Sequence, residues 1–389
     1  MSVTAAEGFH AAGVACGIKP DGIPDLAVVA TADRRPASAA AVFTTNQMTA
    51  APVVVSRRHL LTTSGRAAAV VVNSGNANAA TGARGLADAS SMCELLAAEL
   101  GCAPTEVLVC STGLIGIPLP MATIETGIPK VAAELGDGVE AGADAAEAIR
   151  TTDTHRKEAA VGGPGFIVGG MAKGAGMLAP NLATMLAVLT TDAAADPATL
   201  RRVLAGAAAE TFNRFTVDGC TSTNDTVILL ASGRAGPASE AELMAAVTGT
   251  CADLVARLAD DAEGATKVVR LVVTGAASDD EAHRAARAVA DSLLVKCSWY
   301  GEDPYWGRIA SDLGSSGVEF DPDRVSIAYG GVVVAQRGQA HAHDVAAVRV
   351  HLAGRHLEIT ADLGLGRGTA GILTTDLSHA YIDENMGTS

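Results

Sequence analysis

The sequence predicts an α/β protein with mixed sheets, and three observations carry that prediction. Short apolar runs rich in Ala and Val alternate with turn residues in the first third of the chain. Stretches with helical periodicity and explicit start signals fall between later runs of the same kind. The 389 residues exceed what one ordinary core organises, so two lobes are expected.

Taken in order, strand-like runs lie at 26–31, 39–44, 51–56 and 68–73. A helix follows at about 83–100, where Leu86, Ala89, Cys93, Leu96 and Leu100 share one apolar face. The run 107–110 reads as a strand entering Ser111, Thr112 and Gly113. Pro129 should interrupt the next helical stretch, because its ring removes a donor and crowds the preceding turn. A further helix covers roughly 137–149, and core strands at 166–168 and 184–189 flank a Gly-rich loop.

In the second half, Asp196 reads as an N-cap with Pro197 at the first helical position, for a helix to about 212. Ser239 with Glu242, and Ser278 with Glu281, have capping-box spacing and open two more helices. Between them 267–274 alternates weakly as a strand, and this cluster, about 237–295, is expected to form a smaller lobe. Strands return at 326–335, 346–352 and 357–361.

Composition narrows the function. Hydrophobic residues make up 49% of the chain, yet no apolar run nears the roughly 20 residues of a membrane-spanning helix. The first residues carry neither a basic nor an apolar leader region, so no secretory signal is read. Seven cysteines without CxxC spacing argue against disulfides and a zinc site, and point to a reducing cytoplasm. A net charge of −15 excludes a nucleic-acid partner, which needs a basic stripe to displace counterions. Anionic substrates must then be held by locally placed cations or backbone N–H groups. Nothing in the sequence calls for a cofactor or a metal.

The block 173–192 is the most informative stretch. It places Thr184 between a loop rich in Gly and Pro and a strand-like run, with the small Ala183 just before it. A hydroxyl there can attack the carbonyl of Ala183. Cutting that bond would leave an N-terminal threonine that carries its own base, since an α-amino group has a pKa of roughly 7.7–8.0. Taken alone, the plainer reading is a strand start with a threonine at its edge.

Seven blocks in order change that balance. They are Asn73-Ser-Gly-Asn-Ala-Asn78, Ser111-Thr-Gly-Leu-Ile-Gly116, Thr151-Thr-Asp-Thr154 and 173–192, then Thr216-Val-Asp-Gly219 with Thr221-Ser-Thr-Asn-Asp225, Glu263-Gly-Ala-Thr-Lys267, and Asp376-Leu-Ser-His-Ala-Tyr381. Together they make the chain resemble the ornithine acetyltransferase, or glutamate N-acetyltransferase, family of arginine biosynthesis. The resemblance implies a layered α/β architecture with an active site between lobes. It also implies self-cleavage between Ala183 and Thr184 into fragments 1–183 and 184–389, paired in a heterotetramer or larger. The implied reaction moves acetyl from N2-acetyl-L-ornithine to L-glutamate through an acetyl ester on Thr184. Whether acetyl-CoA is a second donor stays open.

The resemblance gives Thr112 and Gly113 the oxyanion hole, where the plainer reading is a strand-to-loop turn. It makes Thr151, Lys173, Glu263 and Asn385 substrate contacts. Lys173 would take the α-carboxylate, and Thr151 otherwise reads as a hydroxyl at a helix end. Glu263 would serve substrate amines, where the alternative is a last-turn carboxylate. The family pattern has a hydroxyl five residues after the asparagine, but this sequence stops at Ser389, so Thr388 or Ser389 substitutes. Because ornithine and glutamate differ in side-chain charge, the expected subsite is partly wet and holds both signs.

Rival signals are weaker. The GxGxxG of 366–371 and the GxGxxA of 174–179 suggest a nucleotide-binding oxidoreductase only distantly. His341 and His343 lack a third ligand in the sequence, and no GxSxG is present. Trp299, Tyr300, Tyr305 and Trp306 are a core or contact cluster. The closer alternative is a self-processing amidohydrolase or aminopeptidase using the same Thr184 with water as acceptor.

Overall fold

The computed structural model describes residues 2–177 and 185–386, so the expectations placed on Ala183, Thr184, Thr388 and Ser389 lie outside the described residues. The chain divides into two compact units, Met1–Asn213 with Cys220–Leu258, and Arg214–Gly219 with Ala259–Ser389. The stretch 237–295 is split between them at Leu258.

In the first unit the strands are β1 (Phe9–Val14), β2 (Leu26–Thr31), β3 (Ala37–Phe43), β4 (Arg66–Ala67) and β5 (Ala69–Asn76). They continue as β6 (Val107–Leu114), β7 (Lys157–Gly163), β8 (Phe166–Lys173), β9 (Leu186–Ala194) and β10 (Thr226–Pro237). The helices are α1 (Ala51–Thr62), α2 (Gly82–Leu100), α3 (Met121–Ala133), α4 (Val139–Ala148), α5 (Pro197–Glu210) and most of α6 (Glu240–Asp260). One sheet has the order β1-β2-β5-β6 and the other β4-β3-β10-β9-β8-β7. β5 pairs parallel with β6, and β9 parallel with β10, in sheets that are otherwise antiparallel.

Side chains alternate across a strand, and here both faces are buried. Along β5, Val70 and Val72 enter a core shared with Met171, Leu186, Val188 and Ile228 of the second sheet. Ala69 and Val71 face the opposite way, onto Val55 of α1 and Met92 and Leu96 of α2. A strand buried on both sides cannot show polar alternation. That is why the sequence reads these strands as unbroken apolar runs.

Three expectations need correction. Residues 51–56 form the start of α1, because Pro52 in the first turn costs no hydrogen bond and burial of Val53 and Val55 outweighs their β preference. Pro129 sits inside α3 without ending it, since Ile124, Ile128 and Val131 pin that helix by burial while Pro129 lies on its exposed side. Residues 346–352 belong to α10 (Val345–Ala353) of the second unit. Asp344 caps that helix through the Ala346 and Ala347 N–H groups at 2.9 and 3.0 Å, and Val348 and Leu352 are its buried face.

The second unit also contains α7 (Asp279–Ala290), α8 (Leu293–Tyr300), α9 (Gly307–Ser315) and α11 (His379–Asn385). Its strands are β11 (Val268–Ala276), β12 (Ser326–Tyr329), β13 (Val332–Gln336), β14 (Gln339–Ala340), β15 (His356–Asp362) and β16 (Gly368–Thr375), in the sheet order β14-β13-β12-β15-β11-β16. β15 alternates cleanly, with Leu357, Ile359 and Ala361 buried, so this sheet has one wet face. Trp299 is fully buried in this core. The 366–371 glycines lead into β16, an antiparallel partner of β11, and not into a helix that could receive a phosphate.

Sequence-read caps are present. Asp196 accepts from the Ala198 and Thr199 N–H groups at 2.8 and 3.0 Å, and Ser239 and Glu242 bond reciprocally at 3.2 Å. His343 Nδ1 lies 2.7 Å from the His341 carbonyl in the loop after β14. Among the described residues no helix is long and apolar enough to cross a membrane.

Candidate active site

Two glycines set the geometry at the carboxyl ends of β5 and β6. Gly75 and Gly113 stand opposite each other with φ of +97° and +133°, where the register of the parallel pair slips. A Cβ on Gly113 would come within 2.2 Å of the Gly75 carbonyl carbon, so only glycine allows this approach. Around it the 73–78 block is a set of side-chain to backbone bonds. Asn73 Nδ2 donates to the Asn76 carbonyl at 2.8 Å, and Asn76 Nδ2 donates to the Ile117 carbonyl at 3.1 Å. Asn224 Nδ2 reaches the Ala77 and Ser111 carbonyls at 2.6 and 2.8 Å, tying the residue before Thr112 to the start of β10.

Thr112 is buried, and its Oγ1 accepts a hydrogen bond from Lys173 Nζ at 3.2 Å. Lys173, at the end of β8, is likewise buried. Thr112, next to Gly113 on β6, and Lys173 on β8 thus meet from different sheets.

Thr151 enters through its loop. Its N–H donates to Asp153 Oδ2 at 3.0 Å, and Asp153 Oδ1 accepts from the Gly174 N–H at 2.7 Å and from the Lys157 ammonium. Burial pushes the Asp153 carboxyl up, but Lys173, Lys157 and the Gly174 N–H more than offset it and hold it well below the usual carboxylate range. This buried carboxylate was not singled out from sequence, although it stands within the Thr-Thr-Asp-Thr run. Lys19 is a second residue that sequence reasoning missed. Its ammonium bonds the Pro24 and Arg150 carbonyls at 2.9 and 2.6 Å, and burial pulls its pKa down to about 8. The Asp25 carboxylate fixes its loop by accepting from the Cys16, Gly17, Ile18 and Lys19 N–H groups at 2.6–3.0 Å.

Within the second unit, Asn385 Nδ2 donates to Glu263 Oε2 at 2.9 Å. Glu263 lies beyond the end of α6 at Asp260, so it is not a last-turn carboxylate. The next residue, Gly264, has φ +61°, and a Cβ there would meet the Tyr381 backbone nitrogen at 2.2 Å. Glu384 is pushed up by burial and by the negative charges of Glu263 and Asp261. Such a cluster favours a cation.

A cavity of about 650 Å³ lies beside the Thr151 loop, lined by Glu147, Arg150, Thr154, Arg156 and Arg257 among others, and none of the described predicted site residues lines it.

Comparison with known proteins follows the same blocks. The ArgJ family matches over residues 10–387. The arginine biosynthesis bifunctional protein ArgJ of Mycobacterium bovis is 50% identical, covering 100% of this chain and 96% of the relative. The protein of the same description from Thermobifida fusca is 49% identical, covering 100% of both. A solved ornithine acetyltransferase complexed with ornithine, from Mycobacterium tuberculosis, is 45% identical and covers 46% of this chain and 94% of its own, with a TM-score of 0.42. With nearly its whole length matched, the chain belongs to the ArgJ family.

Proposed function

We propose that this chain transfers the acetyl group of N2-acetyl-L-ornithine to L-glutamate through an acetyl ester on Thr184, formed after self-cleavage between Ala183 and Thr184. The Thr184 hydroxyl attacks the acetyl carbonyl while the freed α-amine of the same residue takes the hydroxyl proton. The oxygen of the tetrahedral adduct takes hydrogen bonds from the Thr112 hydroxyl and the Gly113 N–H. Collapse breaks the amide bond, and ornithine leaves with the proton on its amine. Glutamate's α-amine then attacks the ester and carries the acetyl away.

One observation supports this reading above others: Lys173 donates to Thr112 inside a buried cluster at the strand ends. A Lys173 ammonium so placed can take the α-carboxylate shared by both amino acids, with Thr151 alongside. Glu263 and Asn385 serve the side-chain amine of ornithine, with Thr388 or Ser389 completing the contact. The relatives are described as bifunctional, and we assign the second activity to acetyl-CoA as donor, its thiol leaving when the ester forms. The fragments 1–183 and 184–389 stay interlocked, as pairs within a heterotetramer or larger. The hydrogen-bonded sheet supports the interlocking of the two fragments: β9 lies between β8 and β10, and β10 pairs with β3.

Initial-rate kinetics test the reading. Transfer should be ping-pong, with ornithine release accelerated by glutamate. Acetate release indifferent to glutamate would instead mark an amidohydrolase.

A further inference from the structure

Asp225 stands at the entry to β10 with no exposed surface, and its Oδ1 accepts the Met185 N–H at 3.0 Å. The Met185 carbonyl in turn accepts the Thr226 N–H at 3.1 Å, and the Asp225 carbonyl accepts the Thr44 N–H at 2.9 Å. Met185 is therefore gripped at both its donor and its acceptor just before the parallel register begins at Leu186 and Thr226. Peptide planarity makes the grip reach further: the Met185 N–H lies in the same rigid unit as the Thr184 carbonyl.

We propose that Asp225 is a positioning residue for the reactive threonine, its carboxyl fixing the peptide plane that follows Thr184 during both self-cleavage and turnover. This rests on the assignment of Thr184 as nucleophile.

Asp225 Oδ2 is buried with no hydrogen-bond partner among the described residues. Burial pushes the carboxyl well above the usual range, and the Met185 N–H, the Ser222 hydroxyl and Lys173 only partly oppose it. The neutral acid still accepts the Met185 N–H through its carbonyl oxygen. An amide of the same shape accepts it equally well, and that makes the role separable from charge.

The test compares the full chain with its Asp225→Asn, Asp225→Ala and Asp225→Glu variants, following fragment formation on denaturing gels and then kcat and KM of acetyl transfer. Asp225→Asn should cut, and turn over within about threefold of the parent. Asp225→Ala should accumulate uncut chain, and its cut fraction should lose about 10–100-fold in kcat, the misplacement scale, with KM within about twofold. Should Asp225→Ala fail to fold, Asp225→Glu decides: its carboxyl is displaced by one methylene, so it should be slower than Asp225→Asn. Parent-like cutting and kcat in Asp225→Ala, a loss confined to KM, or Asp225→Asn slower than Asp225→Glu would each overturn the proposal. A parent chain that never cuts would overturn the nucleophile assignment and this inference together, whereas a cutting parent isolates the failure to Asp225.

Discussion

Lys173 Nζ donates to Thr112 Oγ1 at 3.2 Å, and this leaves the Thr112 hydroxyl proton free for another acceptor. A threonine hydroxyl has one proton and two lone pairs. With a lone pair occupied by an ammonium, which can only donate, the Thr112 hydroxyl keeps its proton for an acceptor, as the proposed oxyanion role requires. In the proposed reaction Lys173 would therefore act on the transition state as well as on the substrate carboxylate.

Lys173→Met should lower kcat about 10²-fold, the scale of a weakened oxyanion donor, and should also raise KM for glutamate. Steady-state kinetics separate the two effects. A rise in KM with kcat unchanged would leave Lys173 a carboxylate clamp only.

Gly113→Ala should cost more than a lost donor. Its Cβ would fall 2.2 Å from the Gly75 carbonyl carbon at φ +133°, so the two strand ends must separate and the 113 N–H must turn. Transfer should fall by about 10²–10³-fold, and thermal melting should show a lower Tm. A variant with parental rate and melting would show that the close approach has no part in activity.

Lys157→Met should destabilise the fold by about 3–5 kcal/mol, the usual scale for removing one partner of a buried pair. Both Lys157 and Asp153 are buried and bonded to each other. The pH dependence has a definite sign. The Asp153 carboxyl is held well below the usual range, chiefly by Lys173 and Lys157 acting against burial. Its contribution is full above the unfolded pKa of about 3.9 and is lost as pH falls towards the folded value, because the unfolded chain then binds more protons. Urea denaturation at pH 7 and pH 3 should show this acid loss shrinking in Lys157→Met.

Glu263→Ala should raise KM for acetylornithine several-fold with less effect on glutamate, since only ornithine brings a cationic side chain. The hydrogen bond from Asn385 already orients this carboxylate. Equal KM for acetylornithine in parent and variant would remove Glu263 from the subsite.

The sequence carried the strand and helix pattern best where local signals acted alone, as at the Asp196, Ser239 and Ser278 caps. It failed where burial overrode propensity. Pro52, Val53 and Val55 look like a strand until α1 packs onto the sheet. β10 and β16 were not foreseen, because their identity lies in the partners they pair with. At the site, Thr112, Gly113, Lys173 and Glu263 could be singled out through motif blocks, whereas the hydrogen bond between Asn385 and Glu263 could not be read from the sequence. Nor could Asp153, Lys19 and Asp225: an acid or lysine gains meaning from burial and from which N–H groups converge on it. No spacing in the chain records that convergence.

Intact-mass spectrometry of the purified chain under denaturing conditions tests the central claim most directly, with native mass measurement beside it. The account predicts two fragments meeting at Ala183 and Thr184 that separate when denatured and travel together when native, because β9 is hydrogen-bonded between β8 and β10. A single uncut chain with full transfer activity would contradict it.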